Sequence, residues 1–180
     1  ANAKTVSLPA TLTSIGNAAF AQEDAVINDT AGLTSVTIPQ AVTAIRSYAF
    51  YHTAIAEVTV PASVKTWGKY VFSGCAKLKT ARVACDSIGA FAFTRCTALS
   101  SLTISANCGT FGENMLTYCE SLTAITYEGT IAQWNAITKP SNWMSSGKHF
   151  YNDYLQKIQC IDGYLEYDSG NNVWNEVKNG

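Results

Sequence analysis

The sequence predicts a β-rich solenoid: a right-handed array of about six coils with short parallel strands and turns, closed by an aromatic-rich C-terminal segment. Three observations predict it. Apolar triplets return along the chain at a nearly constant interval. Each triplet is followed by the same succession of single apolar positions. From residue 127 onward the pattern gives way to a stretch holding nine of the chain's twenty aromatics.

The triplets begin at Val6, Val36, Val58, Ala81, Leu102 and Ile125, so successive spacings are 30, 22, 23, 21 and 23 residues. This period falls in the range of roughly 20 to 29 residues that marks leucine-rich repeats. The long first interval contains an insertion, residues 21–32. Within each triplet, residues such as Val36 and Ile38 alternate with Ser35 and Thr37, the period of two expected of a strand with one buried face. Strands are therefore expected at Val6–Leu8, Val36–Ile38, Val58–Val60, Ala81–Val83, Leu102–Ile104 and Ile125–Tyr127, all in one sheet. Pro9, Pro39 and Pro61 close the first three strands, because proline cannot donate to a continuing ladder.

Leu33, Ile55, Leu78, Leu99 and Leu122 precede the strands by three residues. Further columns follow each strand: Leu12, Val42, Val64, Cys85 and Cys108, then Ile15, Ile45, Trp67, Ile88 and Phe111. The last is Phe20, Phe50, Phe72, Phe93 and Leu116. No single coil can bury these groups, whereas stacked coils bury them continuously. Residues 1–126 are read as the repeats and 127–180 as a capping segment, which a terminal repeat needs because it exposes apolar surface and an open edge. Two alternating segments between Tyr164 and Val177, separated by Ser-Gly-Asn-Asn, read as a terminal β-hairpin.

The segment LTSVTIPQAVTAIRSYAF, with SGCAKL from Ser73 and TRCTAL from Thr94, resembles the BspA-like bacterial leucine-rich repeat family. That pattern runs strand, Ile-Pro, Val-x-x-Ile-Gly, x-x-Ala-Phe, x-x-Cys, x-x-Leu, and residues 4–126 carry it. The stretch ITYEGTIAQWNAITKPSNWMSSG resembles the segment that often closes such arrays. The fourth repeat departs by having Ala84 for the proline and by being one or two residues short; the fifth has Ser105 for proline and Leu116 for Phe. The resemblance implies a bacterial cell-surface or secreted protein that attaches to host proteins or other cells. The chain opens at Ala1 directly before its first strand, and is read as a mature fragment whose export signal has been removed.

Composition narrows the function classes. Twelve Lys+Arg against thirteen Asp+Glu, net charge −1, argue against a nucleic-acid binder. No apolar run approaches the ~18 residues of a membrane span. The six cysteines contain no Cys-x-x-Cys pair, and the two histidines, His52 and His149, stand apart, so neither a metal site nor Ser/His/Asp or Cys/His catalysis is expected. Five of the cysteines fall in repeat register, where Cys acts as a small hydrophobe; Cys160 lies outside it. The chain is read as a non-enzymatic monomer without cofactors.

Outward strand positions offer the binding candidates. Residues 65–95 contain six Lys or Arg against Asp86 alone, so Lys79 and Arg82, flanked by Thr59 and Thr103, form the first candidate surface, suited to an anionic glycan or acidic protein segment. Threonine on an exposed strand is also simply a good β-former. Trp143 and Tyr151 form the alternative surface, a sugar-stacking platform, although capping explains those aromatics without a ligand. Against recognition of a host or neighbouring-cell protein or glycan stands a purely structural role, as a spacer or a capped fragment of a larger surface protein.

Overall fold

A computed structural model describes residues 5–22, 32–144, 154–171 and 173–179. The described chain is a repeating, strand-rich structure with one short helix. In order it forms β1 (Thr5–Val6), β2 (Ser14–Ile15), β3 (Ser35–Val36), β4 (Ala44–Ile45), β5 (Glu57–Val60), β6 (Thr66–Trp67) and β7 (Thr80–Val83). Then come β8 (Ser87–Ile88), β9 (Ser101–Ile104), β10 (Thr110–Phe111), β11 (Ala124–Tyr127), α1 (Ile131–Ala136), β12 (Lys157–Cys160), β13 (Gly163–Asp168) and β14 (Val173–Lys178).

Each repeat contributes two parallel strands to two separate ladders. The main ladder runs β5–β7–β9–β11–β12 in parallel and then turns antiparallel through β13 and β14. Its register is that of the repeat: Val58 lies beside Ala81, Ala81 beside Leu102, and Leu102 beside Ile125. Their side chains are buried, and the residues between them face outward.

The single-sheet expectation fails at one point. β3, carrying Val36, pairs with β1 and not with β5, so Val36 and Val58 lie in different hydrogen-bonded sheets. Both early strands are also shorter than expected, ending before Leu8 and Ile38. The prolines account for the shortness; Pro39 leaves β1 and β3 paired, so Pro61 removes one bond at the β3–β5 junction without by itself accounting for the break. Ala84, Ser105 and Glu128, the residues that follow β7, β9 and β11, each donate an N–H at 2.9 Å to Val60, Val83 and Ile104 of the preceding repeat. Pro61 occupies that position after β5 and has no N–H to give to Ile38. What survives is one weak contact, Ala56 N–H to Thr34 O at 3.3 Å, against 2.8 Å for the equivalent Lys79 N–H to Ala56 O. The loss of the proline in repeat four adds one bond per junction from there onward, beginning with Ala84 N–H to Val60 O. In a Pro61→Ala variant the new amide should be protected from hydrogen exchange, with stability changed by only about 1 kcal/mol; free exchange of that amide would mean that proline contributes nothing to the break.

The repeats remain joined there through the second ladder, β2–β4–β6, which pairs Ile15, Ile45 and Trp67 in sequence. This ladder breaks in turn between β6 and β8, where repeat four is shortened, and resumes as β8–β10 with a bridge from Thr110 to Thr138. The two interruptions fall at different junctions, so no pair of repeats is held by packing alone.

A turn follows each second-ladder strand. It places non-glycine residues in the left-handed region at positions four apart: Tyr48 and His52, Phe91 and Arg95, Asn114 and Tyr118, with Tyr70 and Gly74 between them. Alternating handedness turns three amides per repeat toward the next. Tyr48, Phe50 and His52 donate to Lys69, Val71 and Ser73 at 2.9 Å, and Tyr70, Phe72 and Gly74 to Ala90, Ala92 and Thr94 at 2.8–3.0 Å.

The core lies between these three sides. Phe20, Phe50, Phe72 and Phe93 stack as a continuous column, centroids 5.2–5.6 Å apart and planes within 11°. Trp67 meets Phe72 and Phe93 edge-on. Beyond Leu116 the chain changes its means of filling the centre. Helix α1 starts on a capping box between Thr130 and Gln133 and buries Trp134 against Phe111, Tyr127 and Trp143, centroids 5.3–6.0 Å apart. Residues 138–143 then continue the stack, with Thr138 receiving Phe111 N–H and Trp143 receiving Met115 N–H. No helix among the described residues is long and apolar enough to cross a membrane.

Candidate functional site

Of the first candidate surface, three residues meet. Thr59, Arg82 and Thr103 are consecutive rungs on the outer face of β5, β7 and β9, and Thr126 on β11 and Gln159 on β12 extend the row. Lys79 is exposed but lies before β7 begins, at the entrance to the strand and outside this row. The Arg82 guanidinium reaches along the sheet to the Glu128 carboxylate, 2.8 Å away, with both side chains about 40% exposed. Lys65 is likewise paired with Asp86 at 2.7 Å. Two of the six cations in residues 65–95 are therefore neutralised by carboxylates. A pair separated by 46 residues, such as Arg82 and Glu128, leaves no local signal in the sequence.

The alternative surface does not present an open platform. Trp143 is 8% exposed, its indole held against Phe111 and Trp134. Tyr151 lies outside the described residues.

All six cysteines are buried, and none is joined in a disulfide. Three form a ladder of their own: Cys75, Cys96 and Cys119 donate S–H to the carbonyls of Phe50, Phe72 and Phe93 in the preceding repeat, at 3.1–3.2 Å. Burial pushes the Cys75 and Cys119 thiols up to about 12 and Cys96 well above its ordinary value. Cys85 is raised to about 12 and Cys108 to about 11, burial again the main cause. A nucleophilic cysteine needs a lowered pKa and access, and these have neither. Among the described residues no three His, Cys, Asp or Glu side chains come together to hold a metal ion.

A further concavity lies on the turn side of the stack. Tyr48, Tyr70 and Phe91 occupy the same left-handed position in successive turns, and their rings stack at 5.0 and 4.4 Å with planes 8° apart. Beside this ladder opens a groove of about 410 Å³. In the companion column the His52 ring covers Gly74, where any Cβ would come within 2.0 Å of the imidazole. The Arg95 guanidinium lies over the Tyr118 ring at 5.7 Å. The sequence signal for this feature was an aromatic two residues before each core Phe, as in Tyr48-Ala49-Phe50, Tyr70-Val71-Phe72 and Phe91-Ala92-Phe93.

The repeat geometry has a counterpart among known proteins. The family model of the BspA type leucine-rich repeat region matches residues 23–139 in six copies. The chain belongs to that family. The BspA type match starts after the first strand pair and runs on through α1, so it takes in part of the segment expected to be the cap. Among solved structures, a leucine-rich repeat protein from Eubacterium ventriosum is similar in fold, with a TM-score of 0.61 at 18% identity. The likeness covers 88% of this chain and 41% of that one. A leucine-rich cell surface protein from Faecalibacterium prausnitzii gives a TM-score of 0.41 at 18% identity, covering 81% of this chain and 64% of that. A Bacteroides ovatus leucine-rich repeat protein gives 0.43 at 19%, covering 87% and 55%. The BspA type chain thus spans less than two thirds of each of these structures. No curated protein is a detectable match.

Proposed function

We propose that this chain is a non-enzymatic recognition module displayed on a bacterial cell or secreted from it, binding a protein or glycan on another surface. In this reading the stack is a right-handed solenoid of six coils, and residues 127–180 close its C-terminal end. The observation that carries the recognition role is the outward row Thr59–Arg82–Thr103–Thr126, four rungs of one ladder in strict register. A rigid, pre-ordered row of hydroxyls around one guanidinium loses little side-chain entropy on binding, and Arg offers a planar bidentate donor to a carboxylate or sulfate. The role as spacer within a larger surface protein would make the same row merely solvent-facing.

Glu128 sharpens the test. It competes with any acidic ligand for Arg82, so a Glu128→Gln variant should bind an anionic partner more tightly, by several-fold at low salt. A Lys79→Glu, Arg82→Glu double variant should lose binding while keeping its fold, since exposed substitutions usually change stability by about 0.5 kcal/mol or less. Surface plasmon resonance against an array of extracellular-matrix proteins and sulfated glycans measures both. A double variant that binds every array hit as well as the wild type would exclude this face.

A further inference from the structure

We infer that the groove on the turn side is a second binding site, for a short carbohydrate of two or three rings that carries a carboxylate. The site lies on a different side of the repeat from β5, β7 and β9, and the inference does not depend on the strand-face reading. Its volume of about 410 Å³ sits at the lower end of small-ligand sites, too small to seat a protein surface.

The chemistry of the walls selects the ligand class. Main-chain groups are already committed: Phe91, Phe93 and Arg95 donate their N–H groups to Glu113, Met115 and Thr117 of the next repeat at 2.8–2.9 Å. An extended peptide added edge to edge would find no ladder to join. Recognition therefore falls to side chains, and these are phenol and aliphatic hydroxyls, which both donate and accept. Ser73, Thr94 and Thr117 supply the aliphatic ones; Thr94 and Thr117 already donate to the Asn114 and Met144 carbonyls, at 2.7 and 3.2 Å, and so offer a ligand their acceptor lone pairs. Such a lining matches a ligand rich in hydroxyls, and the stacked rings, whose faces are largely turned on one another, present apolar edges to sugar C–H groups.

Two features set the polarity. The Arg95 guanidinium, exposed at the groove, has no carboxylate partner among the described residues, unlike Arg82 and Lys65. It provides the charge that an acidic sugar would answer. Asn114 is 5% exposed and lines the groove, and its Oδ1 is buried without a hydrogen-bond donor. It holds the ladder position that Tyr48, Tyr70 and Phe91 fill with rings. The aromatic ladder therefore stops at Phe91, and a short amide acceptor stands where the next ring would be. This acceptor has no exposed surface as it stands, and a turn of the Asn114 amide toward the groove would present it to a ligand hydroxyl or N-acetyl N–H.

The test uses the whole chain and two defined probes: a tetrasaccharide alternating glucuronate with N-acetylglucosamine, and the neutral N-acetylglucosamine tetramer. Calorimetry should show saturable binding of the acidic probe, at least tenfold tighter than the neutral one and weakening with salt. Arg95→Gln should weaken the acidic probe at least tenfold with the melting temperature unchanged, while Lys178→Gln, the same charge loss on the distant β14, should not. In NMR titration the Tyr70 and Phe91 ring resonances should shift. The inference is overturned if neither sugar binds saturably, if Arg95→Gln binds like the wild type, or if the shifts map to the strand face. It is equally overturned if an acidic tyrosine-containing peptide, and not the sugar, gives the Arg95-dependent binding.

Discussion

Raising the pH above 9 is expected to unfold this protein within about two units. Cys75, Cys85 and Cys119 are each raised from 9.0 to about 12 by burial, Cys108 to about 11, and Cys96 moves the same way. In the unfolded chain these thiols ionise near their ordinary value, whereas in the folded chain they stay protonated. Between the two values the unfolded state binds fewer protons, so stability falls as pH rises. The contribution is fully present below pH 9 and lost as pH climbs toward 12. Each thiol costs about 1.4 kcal/mol per pH unit in that window. Summed over that window, the four thiols raised to about 11 or 12 reach the same order as a typical domain's 5–15 kcal/mol, and Cys96 adds in the same direction. Lys139 opposes them: burial beneath Trp134 lowers it to about 8, so above that value it favours the folded state. One lysine against five thiols does not reverse the sign. Circular dichroism from pH 7 to 12 should show a cooperative alkaline transition. Alanine at Cys75, Cys96 and Cys119 should flatten its pH slope by roughly half, and an unchanged slope would mean the thiols are not buried as described.

Phe72→Ala should be the most destabilising single truncation in the aromatic column. Its ring is stacked on both faces, by Phe50 and Phe93, and touched at its edge by Trp67. Removing a fully buried Phe costs about 3–5 kcal/mol, and the three rigid aromatic neighbours leave little room for collapse. Phe20 closes the column, is only half-buried and stacks on one side, so Phe20→Ala should cost clearly less. Stacked pairs are worth about 0.5–1.5 kcal/mol beyond burial, which a Phe50/Phe72 double-mutant cycle would read as coupling. Equal losses at Phe20 and Phe72 in urea denaturation would mean the column is not an interior stack.

The parts of the fold legible in the sequence were those that repeat. The Phe and Ile columns announce themselves because burial recurs at one spacing, and the strands at Val58, Ala81, Leu102 and Ile125 follow from alternation. The second ladder was harder to see: β2, β4, β6, β8 and β10 are two residues each, too short for alternation to register. Pro61 signals part of the break between β3 and β5, because its missing N–H leaves the Ile38 carbonyl without the donor that later repeats supply. Thr59, Arg82 and Thr103 were legible as a row because register follows from the period. The Glu128 partner of Arg82 was not, since ion pairs carry no periodicity. The groove was hidden for a related reason. Tyr48, Tyr70 and Phe91 sit two residues from core phenylalanines, and only the left-handed turn sends their rings to a different side.

That turn has an electrical consequence. In an ordinary strand successive peptide dipoles alternate and cancel. Here the peptides ending at Tyr48, Phe50 and His52 accept from the preceding repeat through Ser47, Ala49 and Tyr51 and donate to the following one. Their dipoles therefore add, and the same three positions repeat at Tyr70, Phe72 and Gly74 and at Phe91, Phe93 and Arg95. The turn side is wired like a helix laid across the chain: three parallel filaments of aligned amides, each peptide unit contributing about 3.5 D. Every added repeat lengthens the filaments and polarises the bonds already in them. The positive pole lies toward the C-terminal repeats, and Arg95 and Asn114 stand nearer to it than Tyr48 does. An anion drawn to that side of the molecule is pulled toward that end by the backbone as well as by the guanidinium.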